Sequence, residues 1–247
     1  MKLHFLGTTG YHPNDARQTA CLMIPEAGIV FDAGTGIFRM RDLIQTDTVN
    51  IFLSHIHLDH SIGLTFLYDI LFEKPDVRVI VRVDEEKIPA LKEHLYARLL
   101  FPVEPNFEIE PLGDGPIELD CGAVITSQPV EHPGGCHAFR ADWPDRSLAY
   151  VTDTVASDDA PYLDFIRGVD TLIHECYFPD GWEDRAKLTG HSCLTPVARV
   201  AASSGANRLF LVHINPMDDS RNPLDVDSVK SIFADVQVAE DKMVIDF

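Results

Sequence analysis

The stretch Ser54-His55-Ile56-His57-Leu58-Asp59-His60 constrains this chain more than any other. It follows directly on the apolar run Val49-Asn50-Ile51-Phe52-Leu53, which reads as a buried strand. Three imidazoles and a carboxylate are therefore delivered at one strand exit. His55 and His57 are two residues apart, and in an extended segment both rings project to the same side. Asp59 and His60 lie just beyond, where the chain is expected to turn into a helix over 62–72. Two donors can then serve one cation and two a neighbouring one, and borderline cations such as zinc accept imidazole and carboxylate together. Surface or capping histidines are the competing reading; they account for a lone His better than for donors at metal-type spacing.

Half a site needs another half, and strand ends are rigid places to look for it. His132 follows the segment 124–131 and precedes Pro133-Gly134-Gly135. Asp153 follows 148–152, His174 and Glu175 follow 169–173, and His213 follows 209–212. With 54–60 these supply enough groups for two metals, one carboxylate being free to bridge them.

The surrounding pattern predicts strands at 2–6, 19–24, 28–34 (ending in a turn), 49–53 and 77–81, with a short helix over 36–44. A helix over 84–100 is expected to be capped by Asp84 and disturbed by Pro89. Short strands and turns fill 107–152, with Asp114-Gly115-Pro116 and Pro144-Asp145-Arg146 as turn signals. Helices are expected near 160–167, from Ser192 as N-cap to Gly205, and over about 223–235, before a hairpin-like tail. No linker, repeat or low-complexity tract divides the sequence. The expectation is a single domain over 1–247 of the α/β class, two packed sheets with helices outside, in four layers.

Composition narrows the function. The formal charge of −19 repels polyanions and lacks the basic footprint of a nucleic-acid binder, so nucleic acid is not an expected partner. A small anionic substrate is compatible, because bound divalent metals invert the local field. No apolar run approaches the length of a membrane span, and the N-terminus reads as a strand rather than a signal segment. Five scattered cysteines without a C-x-x-C pattern point to a reducing, cytoplasmic setting and to core packing.

The motifs Leu6-Gly7-Thr8, Phe31-Asp32-Ala33-Gly34, the histidine stretch, His132, Thr152-Asp153-Thr154, His174-Glu175, Gly190-His191-Ser192 and His213 occur in this order. In that order the chain resembles the metallo-β-lactamase-fold hydrolases from Phe5 to the tail, and within them the phosphodiesterase branch that includes ribonuclease Z and small cyclic phosphodiesterases. The resemblance implies an αββα sandwich of the metallo-β-lactamase type. It implies that His55, His57 and His132 hold one metal, that Asp59, His60 and His213 hold a second, and that Asp153 bridges them. Asp32 would orient a ligand or buttress the histidine loop. Zinc is the expected metal, with manganese and iron as alternatives. Asp59 is also expected to act in catalysis, together with His191 and Glu175, which would stabilise the transition state or protonate the leaving group. A bare capping histidine is the alternative for His191, whose place before a helix N-terminus would favour a phosphate. The resemblance also makes a homodimer plausible.

The reaction expected is attack of a metal-bound hydroxide on a small phosphodiester, cyclic ones included. The long arm by which ribonuclease Z proteins hold tRNA falls between the residues matching His132 and Asp153. Only twenty residues separate them here, reading as two strands and a turn. A tRNA 3′-processing endonuclease is therefore an alternative, as are a thioester, lactone or β-lactam hydrolase and an inactive scaffold subunit. His4, His12 and His94 are read as surface or loop residues, His137 as packed or solvated, and His174 as structural. Arg17 and Arg140 are read as surface ion-pair residues that could instead meet an anionic substrate.

Overall fold

The computed structural model describes residues 1–218, 220 and 223–247. Strands β1 (Lys2–Gly7), β2 (Cys21–Ile24), β3 (Ile29–Phe31), β4 (Thr48–Phe52), β5 (Arg78–Val83) and β6 (Glu108–Pro111) lie side by side in the first sheet. Strands β7 (Ile117–Glu118), β8 (Val124–Val130), β9 (Cys136–Trp143), β10 (Arg146–Val151), β11 (Thr171–Glu175), β12 (Arg208–Val212) and β13 (Val236–Val238) form the second. The last strand, β14 (Val244–Asp246), returns to pair antiparallel with β1. The tail is thus not a hairpin: β13 runs parallel to β12 in one sheet and β14 closes the edge of the other.

Alternation along the strands builds three apolar layers. Leu22 and Ile24 of β2, and Leu148 and Tyr150 of β10, face the gap between the sheets with Phe5, Phe31, Phe52, Phe139 and Phe210. Phe31 stacks on Phe139 at 5.7 Å between ring centroids, and Phe52 meets Phe139 edge-on at 5.7 Å. Burying each such ring contributes about 1.5–3 kcal/mol. The alternate residues Cys21 and Met23 pack outward on Ile37, Met40, Leu64 and Leu67, and Ala149 and Val151 on Val197, Ala198 and Ala201. Helical segments therefore cover both outer faces, completing the four-layer αββα sandwich.

Several expected helices are interrupted. The segment expected as a helix over 62–72 begins earlier, as one α-turn at Leu58–Ser61, then continues as a 3-10 stretch, Ile62–Phe66, and a second turn, Leu67–Ile70. The break has a local cause: Gly63 N–H is diverted to the Ala33 carbonyl at 2.8 Å. The segment 36–44 forms a 3-10 helix, Thr35–Asp42. After Asp84, whose carboxylate accepts Glu86 N–H, the chain passes through 3-10, α and π geometry, and it ends at Leu95 rather than Leu100. Residues 160–167 form successive turns, with Leu163 N–H bonded to Ala160 O and Arg167 N–H to Asp164 O, instead of a helix. Of the expected helix at 223–235, the described residues contain only the 3-10 turn Val226–Val229.

The helix Leu194–Ser204 forms as expected and ends at Gly205 (φ 71°), but Cys193, not Ser192, stands at its N-cap. Ser192 Oγ instead donates to Thr154 O at 2.6 Å and accepts Ala156 N–H at 2.8 Å. Parallel strands β3–β6 and β10–β13 present their C-terminal ends at one rim of the sandwich, where α/β sheets place their sites. Among the described residues no helix is long and apolar enough to cross a membrane.

Candidate metal centre

At that rim the structure brings together all seven residues expected as ligands. His55, His57 and His132 face Asp153, and Asp59, His60 and His213 form a second group. Both are assembled from chain exits: β4 delivers residues 55–60, β8 delivers His132, β10 delivers Asp153 and β12 delivers His213. Asp32, Asp153 and His213 adopt left-handed φ values of 59°, 47° and 56°. Such a conformation costs a non-glycine residue on the order of 1 kcal/mol. It turns the chain sharply at the strand end.

The spacing of the donors is diagnostic. Asp153 Oδ2 lies 3.6 Å from His55 Nε2 and 3.4 Å from His132 Nε2, and His132 Nε2 lies 3.4 Å from His57 Nδ1. On the other side Asp153 Oδ1 is 3.3 Å from both His60 Nε2 and His213 Nε2, and Asp59 Oδ2 is 3.4 and 3.3 Å from the same two atoms. A tetrahedron of donors around zinc at ~2.0–2.1 Å has edges of roughly 3.3–3.4 Å. Ordinary hydrogen bonds would draw such pairs closer. His55 Nε2, buried, makes no hydrogen bond among the described residues. These donors fit divalent cations.

Outer partners fix the ring orientations. Asp32 Oδ2 accepts from His60 Nδ1 at 2.8 Å, leaving Nε2 to face the cluster, and Oδ1 accepts Ser54 N–H at 2.7 Å, holding the start of the histidine loop. His132 Nδ1 donates to Gly190 O at 3.1 Å. Gly190 is needed there: its φ is 75°, and a Cβ would sit 2.8 Å from His132 Nδ1. Gly10 packs against His213, where a Cβ would sit 2.2 Å from the ring and clash with it. The buried Lys87 ammonium donates to Gly135 O at 2.7 Å, anchoring the loop that follows His132.

Charge follows from this crowding. Burial opposes ionisation of Asp59, but His60 and His213 hold its carboxyl well below the usual range. Burial keeps His55 well below the ordinary imidazole value, reinforced by the neighbouring His60 ring. His191 is the contrast: burial works against its charge, yet the Glu175 carboxylate at 3.1 Å pushes its pKa up to about 9. Glu175 is itself buried, its Oε1 accepting Thr154 N–H at 2.9 Å and its Oε2 accepting Ser192 N–H at 3.2 Å. The Ser192 amide therefore serves Glu175 and is not free for a phosphate.

The remaining expectations divide. His174 is buried and structural, bonded to Tyr162 Oη at 2.8 Å. His137 is partly buried, with Nε2 3.5 Å from Asp84. Arg140 pairs with Asp142 at 2.8 Å. Arg17 corrects its expectation: it is not a surface ion-pair residue but buried, with Nη1 donating to Thr8 Oγ1 at 2.6 Å. Residues without a sequence signal also reach the site. Tyr11 donates its backbone N–H to Asp59 Oδ2 at 2.7 Å, and Tyr177 stacks on His191 at 4.8 Å with 16° between planes. His12, read as a loop residue, borders the metal cleft.

The family model for the "Beta-lactamase superfamily domain" matches residues 28–214. The chain belongs to the beta-lactamase superfamily. Together with the His/Asp donor set, that membership makes it a metal-dependent hydrolase. Ribonuclease Z of Synechococcus sp. (strain CC9605) is 25% identical, covering 100% of this chain and 98% of its own length. That alignment spans 316 positions against the 247 residues here, so the relative carries inserted segments. Among solved structures, the metallo-beta-lactamase fold protein YhfI from Bacillus subtilis superposes with a TM-score of 0.81 at 20% identity, covering 99% of this chain and 98% of that one. A diphosphatase from the PhnP family gives a TM-score of 0.73 at 20% identity, with coverage of 100% and 96%. Both likenesses establish the metallo-beta-lactamase fold.

Proposed function

We propose that the chain is a dinuclear phosphodiesterase acting on a small phosphodiester, cyclic ones included. The observation that carries this reading is the pairing of His191 with Glu175 beside a carboxylate, Asp153, whose two oxygens face separate histidine groups. A thioester hydrolase, whose thiolate leaves without a proton, would need the metals but not a proton donor at this place.

His55 Nε2, His57 Nδ1, His132 Nε2 and Asp153 Oδ2 would hold one cation, and Asp59, His60, His213 and Asp153 Oδ1 the other. Divalent cations held there supply Lewis acidity toward phosphoryl oxygens and lower the pKa of water. Zinc suits this donor set, and manganese or iron also accept it. Asp59, kept ionised, would orient the attacking water. His191 would hold a proton on Nε2 for the leaving oxygen, while Glu175 fixes Nδ1 and Tyr177 fixes the plane of the ring. The substrate is expected to be a small anion.

A second reading, RNA 3′-end processing, has the full-length match to ribonuclease Z in its favour. Against it stand the acidic chain and the two-residue turn, Pro144-Asp145, that joins β9 to β10 where an arm would be inserted. The test is turnover by the purified, metal-loaded protein of bis(p-nitrophenyl) phosphate, 2′,3′- and 3′,5′-cyclic nucleotides, and a precursor tRNA. Metal-dependent hydrolysis of the small diesters is expected. No turnover of any of them overturns the proposal, and cleavage of the tRNA alone selects the second reading.

A further inference from the structure

The metal cleft does not end at His191. Its wall of Tyr11, His12, Thr189 and His191 is shared with a second cleft of about 610 Å³, which continues over Tyr177, Phe178, Trp182 and Met217. The floor is a run of rings: Tyr177 lies 4.9 Å from Phe178, and Phe178 lies 6.2 Å from Trp182 with only 11° between their planes. Its rim is unusually apolar for an acidic protein. Tyr11 is 76% exposed, Trp182 53% and Met217 83%, so three large hydrophobic side chains stand in water around one opening.

Besides His191, one cationic side chain lines this cleft among the described residues. Arg185 is exposed on the short helix Glu183–Thr189, and its guanidinium makes no ion pair or hydrogen bond among the described residues. Flat π-faces, a polarisable thioether and an unengaged guanidinium suit a planar heteroaromatic group with acceptors on its edge. A purely aliphatic group would bury area against the rings but would leave the guanidinium without a partner.

We propose that this cleft is a nucleobase subsite: the heterocycle of the substrate stacks on Trp182, Met217 closes over it, and Arg185 donates to an acceptor on the base edge. The placing of the phosphate at the metal cluster rests on the phosphodiesterase reading, and the base subsite narrows that reading to diesters carrying a nucleoside. Stacking of one base on one aromatic ring changes affinity by about tenfold or more.

Binding separates the subsite from the chemistry. In a Trp143→Phe background Trp182 is the sole tryptophan; Trp143 Nε1 has no hydrogen-bond partner among the described residues, so the replacement forfeits none. Adenosine monophosphate, ribose 5-phosphate and inorganic phosphate are titrated at constant metal loading, by tryptophan emission and by calorimetry. The nucleotide is expected to quench Trp182 and to bind about tenfold tighter than ribose 5-phosphate. Trp182→Ala should abolish that advantage and Trp182→Phe keep most of it. Equal affinity for the two sugar phosphates, or an advantage that survives Trp182→Ala, overturns the subsite. Because no turnover is read, failure of the phosphodiesterase proposal leaves this result standing. Conversely, hydrolysis of glycerol cyclic phosphate and 2′,3′-cyclic AMP with equal kcat/KM, unaltered by Trp182→Ala, defeats the subsite and keeps the phosphodiesterase.

Discussion

The Tyr150 hydroxyl donates to Asp32 Oδ2 at 2.8 Å from inside the aromatic layer between the sheets. Asp32 also accepts from His60 and from Ser54, so one buried carboxylate ties the sandwich core to the histidine loop. Removing the hydroxyl leaves a buried acceptor with one donor fewer, at a cost of about 1–3 kcal/mol. Tyr150→Phe should lower the urea midpoint accordingly. Asp32→Asn should do more, since it disturbs the His60 tautomer, and weakened outer partners of this kind reduce metal affinity about 10–100-fold. Metal titration of both variants checks the order; an Asp32→Asn protein with unchanged affinity would sink the assignment.

His191 and Glu175 make a prediction that depends on the leaving group. If His191 supplies the proton, His191→Ala should cut kcat for 2′,3′-cyclic nucleotides by about 10²–10⁴. The same variant should lose far less on bis(p-nitrophenyl) phosphate, whose leaving nitrophenolate needs no proton. Glu175→Gln should fall between, because its one amide oxygen can still accept from Thr154 N–H and His191 Nδ1, while the bond from Ser192 N–H and the charge that holds His191 protonated are lost. Equal losses on both substrates would assign His191 to binding instead.

How far the sequence could be read follows from where each feature is encoded. The histidines and Asp153 were legible because each is a polar residue at the end of an apolar strand, and strand ends are marked by composition. The supporting contacts were not. Tyr11 N–H and Gly190 O are backbone groups that every residue carries, so nothing in the letters marks them. Arg17 looked like a surface cation because its partners, Thr8 and Ala239, are distant or unremarkable in sequence. The break in the helix after the histidine loop comes from a backbone N–H, that of Gly63, diverted to the distant Ala33 carbonyl. Both terminal strands were visible as apolar stretches, but pairing with opposite sheets is a long-range decision that local pattern does not contain.

Metal loading should be visible in stability without any substrate. The donors sit at separate strand ends, β4, β8, β10 and β12, so a cation binds the folded arrangement and not the unfolded chain. At a free zinc or manganese concentration of a hundred times Kd, each site adds about 2.7 kcal/mol. Thermal melts should rise on loading and fall with a chelator, and mass spectrometry should count two metals per chain. His55→Ala and His213→Ala should each lower the count by one. A wild-type count that never exceeds one would contradict the bridging role of Asp153.

The last prediction concerns a histidine outside the cluster. His174 is fully buried, its Nδ1–H donating to Glu175 O at 2.7 Å and its Nε2 accepting from Tyr162 Oη at 2.8 Å, so both ring nitrogens are committed to a neutral imidazole. Burial, only partly offset by Glu175, lowers its pKa in the folded protein. The unfolded chain therefore takes up this proton first. Stability that is complete above the unfolded value of 6.5 declines as pH drops below it, by ~1.4 kcal/mol per pH unit, until the folded ring also titrates. His174→Gln removes the proton uptake while keeping a side chain able to hydrogen bond. Urea denaturation of metal-loaded wild type and variant between pH 7.5 and 5, common to other groups in both, isolates the difference. The gap between the two proteins should be largest at pH 7.5 and shrink by ~1.4 kcal/mol for each unit below 6.5. A gap that stays constant with pH would mean that the folded protein accommodates the charged ring, and that the Tyr162–His174 contact does not enforce neutrality.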